Sequence, residues 1–415
     1  MTQPSTRILV LGAGIAGLLF TLRLSGKVAR SSVQITLVDE ADTFTVRPRL
    51  HEFATNQRIF SRPFSQILRK TQVQFLQGRV TSLDPSQHRV TVQDQQQHEL
   101  TYDYLVYALG SMTDRQNVPG VAEYAYSLSA RGPFSASALR ERLPEIEARG
   151  GQVVVCGGGA TGIETAAQVA SVYPQIKVSL VTRGSLASSW NKSVADQIRQ
   201  RLVSLGVEII EQSTVSAVRA QSVVLEGGRE LACDLCIWTT GFVVSLLARE
   251  AGLAVNERGQ ILVDPFLRSV SHPQIYAIGD AASPVEDPGV SHVRMSAYTA
   301  SIMGAHGADC VSAMLVGKTP KPLSFAYLAQ AIALGQRHAL FLTLSPDDQA
   351  RPPYITGRLG AFTRELFISF VVAATLAQQR FPGLFVWLGK RRYEQAQRRK
   401  QALEEHPPLP VHHLS

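Results

Sequence analysis

Two glycine-rich turns in this sequence have the residue types and spacing that hold the pyrophosphate of a dinucleotide. Each turn follows a short apolar run, ILVL or VVV, and leads into a helical pattern. In a G-x-G-x-x-G sequence, the first glycine permits a tight turn, the second lets the backbone approach the pyrophosphate, and the third lets the helix pack closely on the strand. The unpaired N–H groups at the start of the helix then face the phosphates. The glycines are Gly12, Gly14 and Gly17 in the first turn, and Gly157, Gly159 and Gly162 in the second.

The strands that follow the two turns end in residues of opposite charge. The stretch QITLVDEA ends in Asp39 and Glu40, and a carboxylate there can accept hydrogen bonds from ribose hydroxyls. The stretch VSLVTRGS has Thr182 and Arg183 at the corresponding place, which offer a hydroxyl and a guanidinium suited to a 2′-phosphate. The second turn is therefore predicted to use NADPH, or at least to have no strong preference for NADH. The alternative is that Arg183 points to solvent and that NADH and NADPH bind equally.

The rest of the sequence supplies elements for two or three domains around these turns. The chain has 415 residues, 45% apolar and 18% charged, as in globular proteins. Its net charge of +8 suits anionic ligands, acidic partners or an anionic membrane surface, and no stretch resembles a nucleic-acid-binding module. The apolar run 366–377 is shorter than the about 20 residues that cross a bilayer, and the first strand begins too early for a signal peptide. We therefore expect a cytoplasmic protein.

Three further stretches accompany the glycine turns: TYDYLVYALGS (101–111), CDLCIWTTGF (233–242) and PQIYAIGDAAS (273–283). Together with the turns, they resemble the two-dinucleotide flavoproteins of the pyridine nucleotide-disulfide oxidoreductase superfamily. The resemblance implies an α/β fold of two Rossmann-like dinucleotide-binding domains, the NAD(P) domain inserted in the FAD domain, with a small C-terminal α+β region. The implied boundaries are 1–112 and 266–322 for the FAD domain, 113–265 for the NAD(P) domain, and 323–415 for the C-terminal region.

The resemblance also implies which residues contact each cofactor and which take part in catalysis. The residues expected at FAD are Gly12, Ala13, Gly14, Ala16, Gly17, Asp39, Glu40, Arg47, Val80, Ala108, Leu109, Gly110, Gly279, Asp280, Ser296 and Ala297. Those expected at NADPH or NADH are Gly157, Gly159, Ala160, Thr161, Gly162, Glu164, Thr182, Arg183, Thr240 and Gly241. Arg47 near the flavin and Glu164 near the nicotinamide are the expected catalytic residues. The alternative for Glu164 is a carboxylate placed only to favour the start of a helix.

The four cysteines do not provide a redox-active disulfide, and no metal site is predicted. The segment 42–52, which carries the redox cysteines in one subgroup of the superfamily, contains none. Cys233 and Cys236 have C-x-x-C spacing, but they lie in an apparent strand where positions three apart point to opposite faces. The electrons are therefore expected to pass to a quinone, oxygen, a small metabolite or an iron–sulfur protein.

The segment FTVRPRLHEFATNQ (44–57) resembles type II NADH:quinone oxidoreductases and apoptosis-inducing-factor-like quinone reductases. The resemblance implies an FAD-dependent NAD(P)H oxidoreductase that passes electrons to a quinone or a quinone-like acceptor. The later stretch MSAYTASIMGAHGAD departs from the family, because Ser301, Ala305 and His306 stand where glutamines of the quinone site are expected. The alternatives are a reductase of an electron-carrier protein, a flavin oxidoreductase acting on a specific metabolite, or a nicotinamide-binding redox sensor.

The C-terminal region contains two predicted strands in residues 323–344 and an apolar helix over 361–378. A helix that is apolar on nearly every side is buried or covered by a partner or by lipid, so we expect either a homodimer, a packed helix or peripheral membrane contact. An aromatic and basic junction with Lys390, Arg391 and Arg392 follows the helix and suits a membrane interface. The alternative is a helix packed over the flavin site, with a solvated basic tail.

Overall fold

The computed structural model describes residues 5–286, 288, 293–345, 348–387 and 389. Its first unit is built on a five-stranded parallel sheet, whose strands lie in the order Ile275–Ala277, Tyr104–Tyr107, Thr6–Leu11, Val33–Asp39 and Val73–Gln77. The elements of its first chain segment are β1 Thr6–Leu11, α1 Ile15–Ser25, β2 Val33–Asp39, β3 Thr43–Thr45, α2 Leu50–Ala54, β4 Ser61–Pro63, α3 Phe64–Ile67, β5 Val73–Gln77, β6 Arg79–Asp84, β7 Arg89–Gln93, β8 Gln97–Thr101, β9 Tyr104–Tyr107 and β10 Ser111–Thr113. A 3-10 helix, Arg47–Arg49, leads into α2.

The second unit has its own five-stranded parallel sheet, in the order β11-β18-β12-β13-β14. Its elements are α4 Val121–Tyr124, β11 Ala125–Tyr126, α5 Ala136–Ala148, β12 Gln152–Cys156, α6 Ala160–Val172, β13 Lys177–Val181, α7 Lys192–Ser204, β14 Glu208–Ile210, β15 Val215–Arg219, β16 Ser222–Leu225, β17 Glu230–Ala232, β18 Leu235–Trp238 and β19 Phe242–Val244. The chain leaves the first unit through β10 and returns through β19, and these two strands pair with each other.

The chain then completes the first sheet and ends in a third, smaller unit. The remaining elements are α8 Leu247–Glu250, β20 Ile261–Val263, β21 Ile275–Ala277, the 3-10 helix Gly279–Ala281, β22 Ala282–Pro284, α9 Ala297–Leu315, β23 Ala329–Ala333, β24 Ala339–Leu344, β25 Ala350–Ile355 and α10 Gly357–Ala377. Because β21 adds to the first sheet, the second unit is an insertion in the first. The two predicted strands of the C-terminal region are present as β23 and β24, whereas β25, which completes their antiparallel sheet, was not predicted.

In the first unit, helix α1 packs closely against the sheet and against helix α9. The strand β1 is buried from Ile8 to Leu11, and α1 is buried over nearly all its length, as is usual when a parallel sheet is covered by helices. A Cβ atom on Gly304 of α9 would overlap the backbone of Ala16 in α1. The two helices therefore pack backbone to backbone, which carries the start of α9 toward the first glycine turn.

The C-terminal helix is longer than predicted, and one of its faces is exposed in this chain. It is α10, 21 residues long, and begins at Gly357 rather than 361. By length and composition alone, it is apolar enough to cross a bilayer, with a mean hydropathy of 1.5, yet only 22% of that window is buried. The apolar side chains on one face, Leu359, Phe362, Leu366 and Phe370, are exposed in this chain. The basic residues predicted beyond it, Lys390, Arg391 and Arg392, lie outside the described residues.

The prediction that Cys233 and Cys236 share one strand and point to opposite faces is wrong. The strand β18 begins at Leu235, after the chain has passed from one sheet to the next, and both thiols are buried in the same apolar cluster. The sulfur of Cys236 lies 3.7 Å from that of Cys156. Burial raises the pKa of Cys233 to about 12, so its thiol is protonated at neutral pH. Neither cysteine of this C-x-x-C sequence is placed or charged for redox chemistry.

Candidate functional site

The first glycine turn has the shape that a pyrophosphate requires. Gly12 has a φ of +96°, and a Cβ atom there would overlap the carbonyl of Ala108. A Cβ atom on Gly17 would overlap the carbonyl of Gly12, whereas one on Gly14 would meet no atom within 4 Å. Two glycines thus permit close packing, and the middle one opens on free space at the start of α1. This arrangement fits the pyrophosphate of a dinucleotide.

Asp39 lies at the tip of β2 and holds the first turn. Its Oδ2 accepts a hydrogen bond from the amide of Ala13 at 2.6 Å, and its Oδ1 accepts one from Ala41 at 2.8 Å. Each carboxylate oxygen has a second lone pair, so both can still accept from a ribose. Glu40 is exposed beside it, and Val80 is partly buried in β6.

A polar cluster lies at the start of α9, where the sequence predicts contacts to the flavin. The Asp280 carboxylate accepts a hydrogen bond from the Ser111 hydroxyl at 2.7 Å. Arg47 donates to the carbonyl of Ser111 at 3.0 Å, and its guanidinium faces Gly110. Burial raises the pKa of Asp280, while the Ser111 hydrogen bond and the charge of Arg47 act in the opposite direction. Ser296 caps α9 by accepting from the amide of Thr299 at 3.2 Å.

The structure thus brings Arg47, Gly110, Asp280 and Ser296 together around the N-terminus of α9. Ser111 was missed, although it directly follows Gly110 in the quoted stretch TYDYLVYALGS. The other predicted contacts are on the strand ends and turns that surround this cluster: Ala108 and Leu109 after β9, Gly279 in the 3-10 helix after β21, and Ala297 at the first position of α9.

The second glycine turn repeats the shape of the first. A Cβ atom on Gly162 would overlap the carbonyl of Gly157, and one on Gly159 would meet no atom within 4 Å. Ala160 and Thr161 begin the helix α6 that follows. Thr239 also contacts this turn, although it was not predicted from the sequence. Its hydroxyl donates a hydrogen bond to the carbonyl of Cys156 at 2.7 Å and lies against Gly157. Thr239 precedes Thr240 and Gly241, the predicted contacts at the end of β18.

The tip of β13 differs from the tip of β2 as the sequence predicts. Strand register places Thr182 where Asp39 stands in the first unit, because Val181 pairs with Cys156 as Val38 pairs with Leu11. Thr182 is buried, and its hydroxyl lies close to Gly158 of the turn. Arg183 is exposed, and among the described residues no carboxylate forms an ion pair with it.

Glu164 lies in α6, four residues after the first residue of the helix, Ala160, and its carboxyl group contacts the C-terminal sheet. Its Oε1 accepts a hydrogen bond from the amide of Ala333 in β23 at 2.9 Å. Removal from water raises the pKa of Glu164 to about 7, against the charge of Arg364 and the Ala333 amide, and the charge of Glu52 adds to the rise. A carboxyl group with this pKa can hold or release a proton near neutral pH.

A buried charged cluster adjoins Glu164, and the sequence analysis did not predict it. Arg364 of α10 donates to Glu52 of α2 at 2.6 Å, and Arg49 donates to the other oxygen of Glu52 at 2.6 Å. His51 is 3% exposed, its Nε2 has no hydrogen-bond partner among the described residues, and burial lowers its pKa to about 4. The sequence could not reveal the cluster, because its two halves lie 312 residues apart.

The three residues of α9 that depart from the expected glutamine pattern lie inside the protein. Ser301 is fully buried and donates to the carbonyl of Ala297 at 2.8 Å. Ala305 is fully buried, and His306 Nε2 lies 3.3 Å from both the Pro265 carbonyl and the Cys310 sulfur. Burial lowers the pKa of His306 to about 4, so the imidazole is neutral. Among the described residues, no group of three or more His, Cys, Asp or Glu side chains could hold a metal ion.

Comparisons with known proteins give one consistent picture. The model of the pyridine nucleotide-disulphide oxidoreductase family matches residues 6–304. The demethylphylloquinone reductase NdbB of Synechocystis is 29% identical over 354 residues, which are 81% of this chain and 86% of that protein. The type II NADH:quinone oxidoreductase of Haemophilus influenzae is 23% identical over 68% of this chain and 74% of its own. The solved structure of Plasmodium falciparum NDH2 in complex with NADH covers 91% of this chain and 96% of its own, with a TM-score of 0.77 at 17% identity, and shows the fold.

Proposed function

The chain belongs to the pyridine nucleotide-disulphide oxidoreductase family, and on that premise we propose that it is an FAD-dependent NAD(P)H oxidoreductase that reduces a quinone. The observation that carries this proposal is the pair of dinucleotide turns, with the carboxyl group of Glu164 in the helix that follows the second turn. When bound, the flavin supplies the two-electron chemistry, and the protein supplies orientation and electrostatics.

The first unit would hold FAD. The free space at Gly14 fits its pyrophosphate, and Asp39 can accept from its adenosine ribose. Asp280, tied to Ser111, lies where a ribityl hydroxyl can donate to it. The N-terminus of α9 at Ser296 would offer its unpaired N–H groups and positive dipole to the flavin, which would stabilise negative charge on the reduced ring.

The second unit would hold NADPH. The free space at Gly159 fits the pyrophosphate, and the 2′-phosphate would lie at the tip of β13. Thr182 offers a hydroxyl there, and Arg183 offers an exposed guanidinium that no carboxylate of the described residues neutralises. An aspartate at this tip would repel the phosphate, and this chain has none. These features support NADPH over NADH.

Glu164 would supply the proton that quinone reduction needs. A quinone that becomes a hydroquinone gains two electrons and two protons, whereas NADPH brings two electrons and one proton as a hydride. The second proton comes from solution, and a carboxyl group with a pKa of about 7 is half protonated at neutral pH.

The exposed face of α10 supports a quinone that arrives from a bilayer. Leu359, Phe362, Leu366 and Phe370 lie three or four residues apart and are each more than half exposed. The opposite face of the same helix presents Arg364 to Glu52, beside Glu164. A helix that is tied to the protein on one side and apolar on the other lies on a membrane rather than across it. Two of the relatives carry names that refer to quinone reduction.

Anaerobic spectroscopy tests the reaction. The FAD-loaded protein mixed with NADPH should lose its visible flavin band, and a soluble quinone should restore it. Failure of both NADPH and NADH to bleach the band would overturn the proposal. Reoxidation by a ferredoxin but by no quinone would replace the acceptor with an electron-carrier protein.

Vesicle sedimentation tests the membrane surface. The wild-type protein should sediment with anionic phospholipid vesicles, and a double variant Leu366→Glu/Phe370→Glu should stay in solution. The matched control is the double variant Val203→Glu/Val316→Glu, since it places the same two charges on apolar residues outside α10 that are 60% and 66% exposed. Equal sedimentation of the α10 double variant and this control would remove α10 as the membrane contact. If the α10 double variant instead changes a dimer to a monomer, the face is an interface between two copies of the chain.

A further inference from the structure

The ion pair between Arg364 and Glu52 joins two elements that are far apart in the chain. Arg364 is 7% exposed and Glu52 is 4% exposed, and their side chains are 2.6 Å apart. A charge buried to this degree is stable only when a partner neutralises it. Because α2 also packs on α6, where Gln168 donates to Thr55 at 3.1 Å, the pair lies at the junction of all three units.

Glu164 precedes Gln168 by one helical turn, so both lie on the face of α6 that meets Thr55 at the end of α2, and the Thr55 hydroxyl donates in turn to the carbonyl of Glu52 at 3.0 Å. The Glu164 carboxylate also accepts from the amide of Ala333 in β23. Arg364 of α10 favours the ionised carboxylate, Glu52 of α2 disfavours it, and the amide of Ala333 in β23 favours it. Glu52 is itself surrounded by Arg364, Arg49 and the neutral His51, whose Nε2 is 3.7 Å from the Glu52 carboxylate. Glu365, beside Arg364 in sequence, is instead on the solvent side and pairs with Arg49 at 2.8 Å.

From this arrangement we infer that Arg364 is a positioning residue that sets the proton occupancy of Glu164, with Glu52 as its counterweight. The inference rests on the proposed function, because it assigns Glu164 the proton that the acceptor needs. The new element is the connection between the Arg364–Glu52 pair and Glu164, which the reaction itself does not require. Arg364 belongs to α10, the helix with the exposed apolar face, and it pairs with Glu52 on the opposite, buried side.

The inference predicts shifts of opposite sign for the two partners. Arg364→Gln removes a positive charge that favours the carboxylate, so the pKa of Glu164 rises. Glu52→Gln removes a negative charge and leaves the guanidinium without its nearest partner, so that pKa falls. Each shift should be about 1 unit or more, as is usual when a nearby charge is removed from a poorly solvated carboxyl group. Arg364→Lys keeps the charge and should stay near the wild-type value.

Infrared titration of the FAD-loaded protein measures this directly. The carbonyl stretch of a protonated carboxyl group is followed against pH, and the band of Glu164 is identified by its loss in Glu164→Gln. The wild-type midpoint should lie near pH 7. Glu365→Gln is the matched control, since it removes a carboxylate one residue away on the exposed side, and its midpoint should not move. If Arg364→Gln does not fold, Glu52→Gln and the double variant Arg364→Gln/Glu52→Gln, with a midpoint near wild type, carry the test.

Two results would overturn the inference: shifts of the same sign in the Arg364→Gln and Glu52→Gln variants, or a Glu164 midpoint that none of the substitutions moves. A purely structural role of the pair would lower stability without producing opposite shifts. The titration requires neither nicotinamide nor acceptor, so its outcome does not depend on the bleaching and reoxidation experiments. A normal titration in a protein that no nicotinamide bleaches would count against the proposed function alone.

Discussion

Replacing Arg183 by alanine tests the cofactor preference that the tip of β13 predicts. Arg183 is exposed beside the buried Thr182. In the first unit, Asp39 corresponds to Thr182 and the acid Glu40 corresponds to Arg183. If the guanidinium binds the 2′-phosphate of NADPH, its removal affects only the nucleotide that carries this phosphate. NADH has a hydroxyl there and should be almost unaffected.

The expected magnitude follows from the exposure of the side chain. A hydrogen bond to a charged group contributes about 1.5–3 kcal/mol, and solvent screening of an exposed arginine favours the lower end of that range. A loss of about 1.5 kcal/mol is about a tenfold decrease in kcat/KM for NADPH at 25 °C. The effect should appear mainly in KM, because the phosphate is remote from the nicotinamide ring.

The measurement is anaerobic flavin reduction by NADPH and by NADH, over a range of concentrations and at two salt concentrations. Arg229→Ala is the matched control, because it removes another exposed arginine of the second unit from the turn that joins β16 to β17. Thr182→Asp is the converse variant, since an aspartate there can accept from the Gly158 amide as Asp39 accepts from Ala13, and it should favour NADH. Equal losses for NADPH and NADH in Arg183→Ala would refute the assignment of the 2′-phosphate site.

Three further predictions concern the turn, the core and the response to acid. The variant Gly162→Ala should still bind FAD, but its affinity for the nicotinamide nucleotide should fall roughly tenfold or more. The added Cβ atom would overlap the carbonyl of Gly157, and such overpacking costs about 1–3 kcal/mol. An unchanged rate of flavin reduction would contradict this prediction. Arg23→Met should lower the free energy of unfolding by about 1–3 kcal/mol in denaturant titrations, since it removes the arginine that binds Asp309 at 2.7 Å while Lys27 still pairs with that carboxylate. His306 has a pKa of about 4 in the folded state, below its unfolded value of 6.5, so stability should fall as the pH decreases from 6.5 toward 4, by on the order of 3 kcal/mol for this group. His306→Gln should flatten that part of the curve, and an identical acid dependence in the variant would show that another group is responsible.

The sequence was sufficient for the parts of the fold that depend on local backbone requirements. A glycine turn between an apolar strand and a helix is set by steric contacts within about 20 residues, so both turns and the strands before them could be predicted from one sequence. The same reasoning applies to Asp39 and Thr182, because a parallel strand pair fixes which residue follows each turn. The two strands β23 and β24 were also predicted, since a short loop around Gly335 joins them.

The features that the sequence left open or predicted wrongly depend on contacts that no local pattern encodes. The helix α10 reads as apolar on nearly every side, and only the tertiary structure shows that one face packs while Leu366 and Phe370 remain exposed. The stretch around Cys233 and Cys236 has the sequence of a single strand. In the structure, Cys233 lies in the connection between β17 and β18, which belong to different sheets, and only Cys236 is in β18. Periodicity describes the neighbours within an element, whereas burial depends on which other element covers it.

The sequence by itself determined two dinucleotide turns, the acid at one strand tip and the arginine beside the other, because these features depend on residues close in the chain. The tertiary structure decided that Glu164 meets the amide of Ala333 and the charges of Glu52 and Arg364. Glu164 and these three partners come from four separate elements, and Glu52 and Arg364 are 312 residues apart. The pKa of a carboxyl group depends on distances in space and on access to water, so only the folded chain could set that of Glu164 near neutrality.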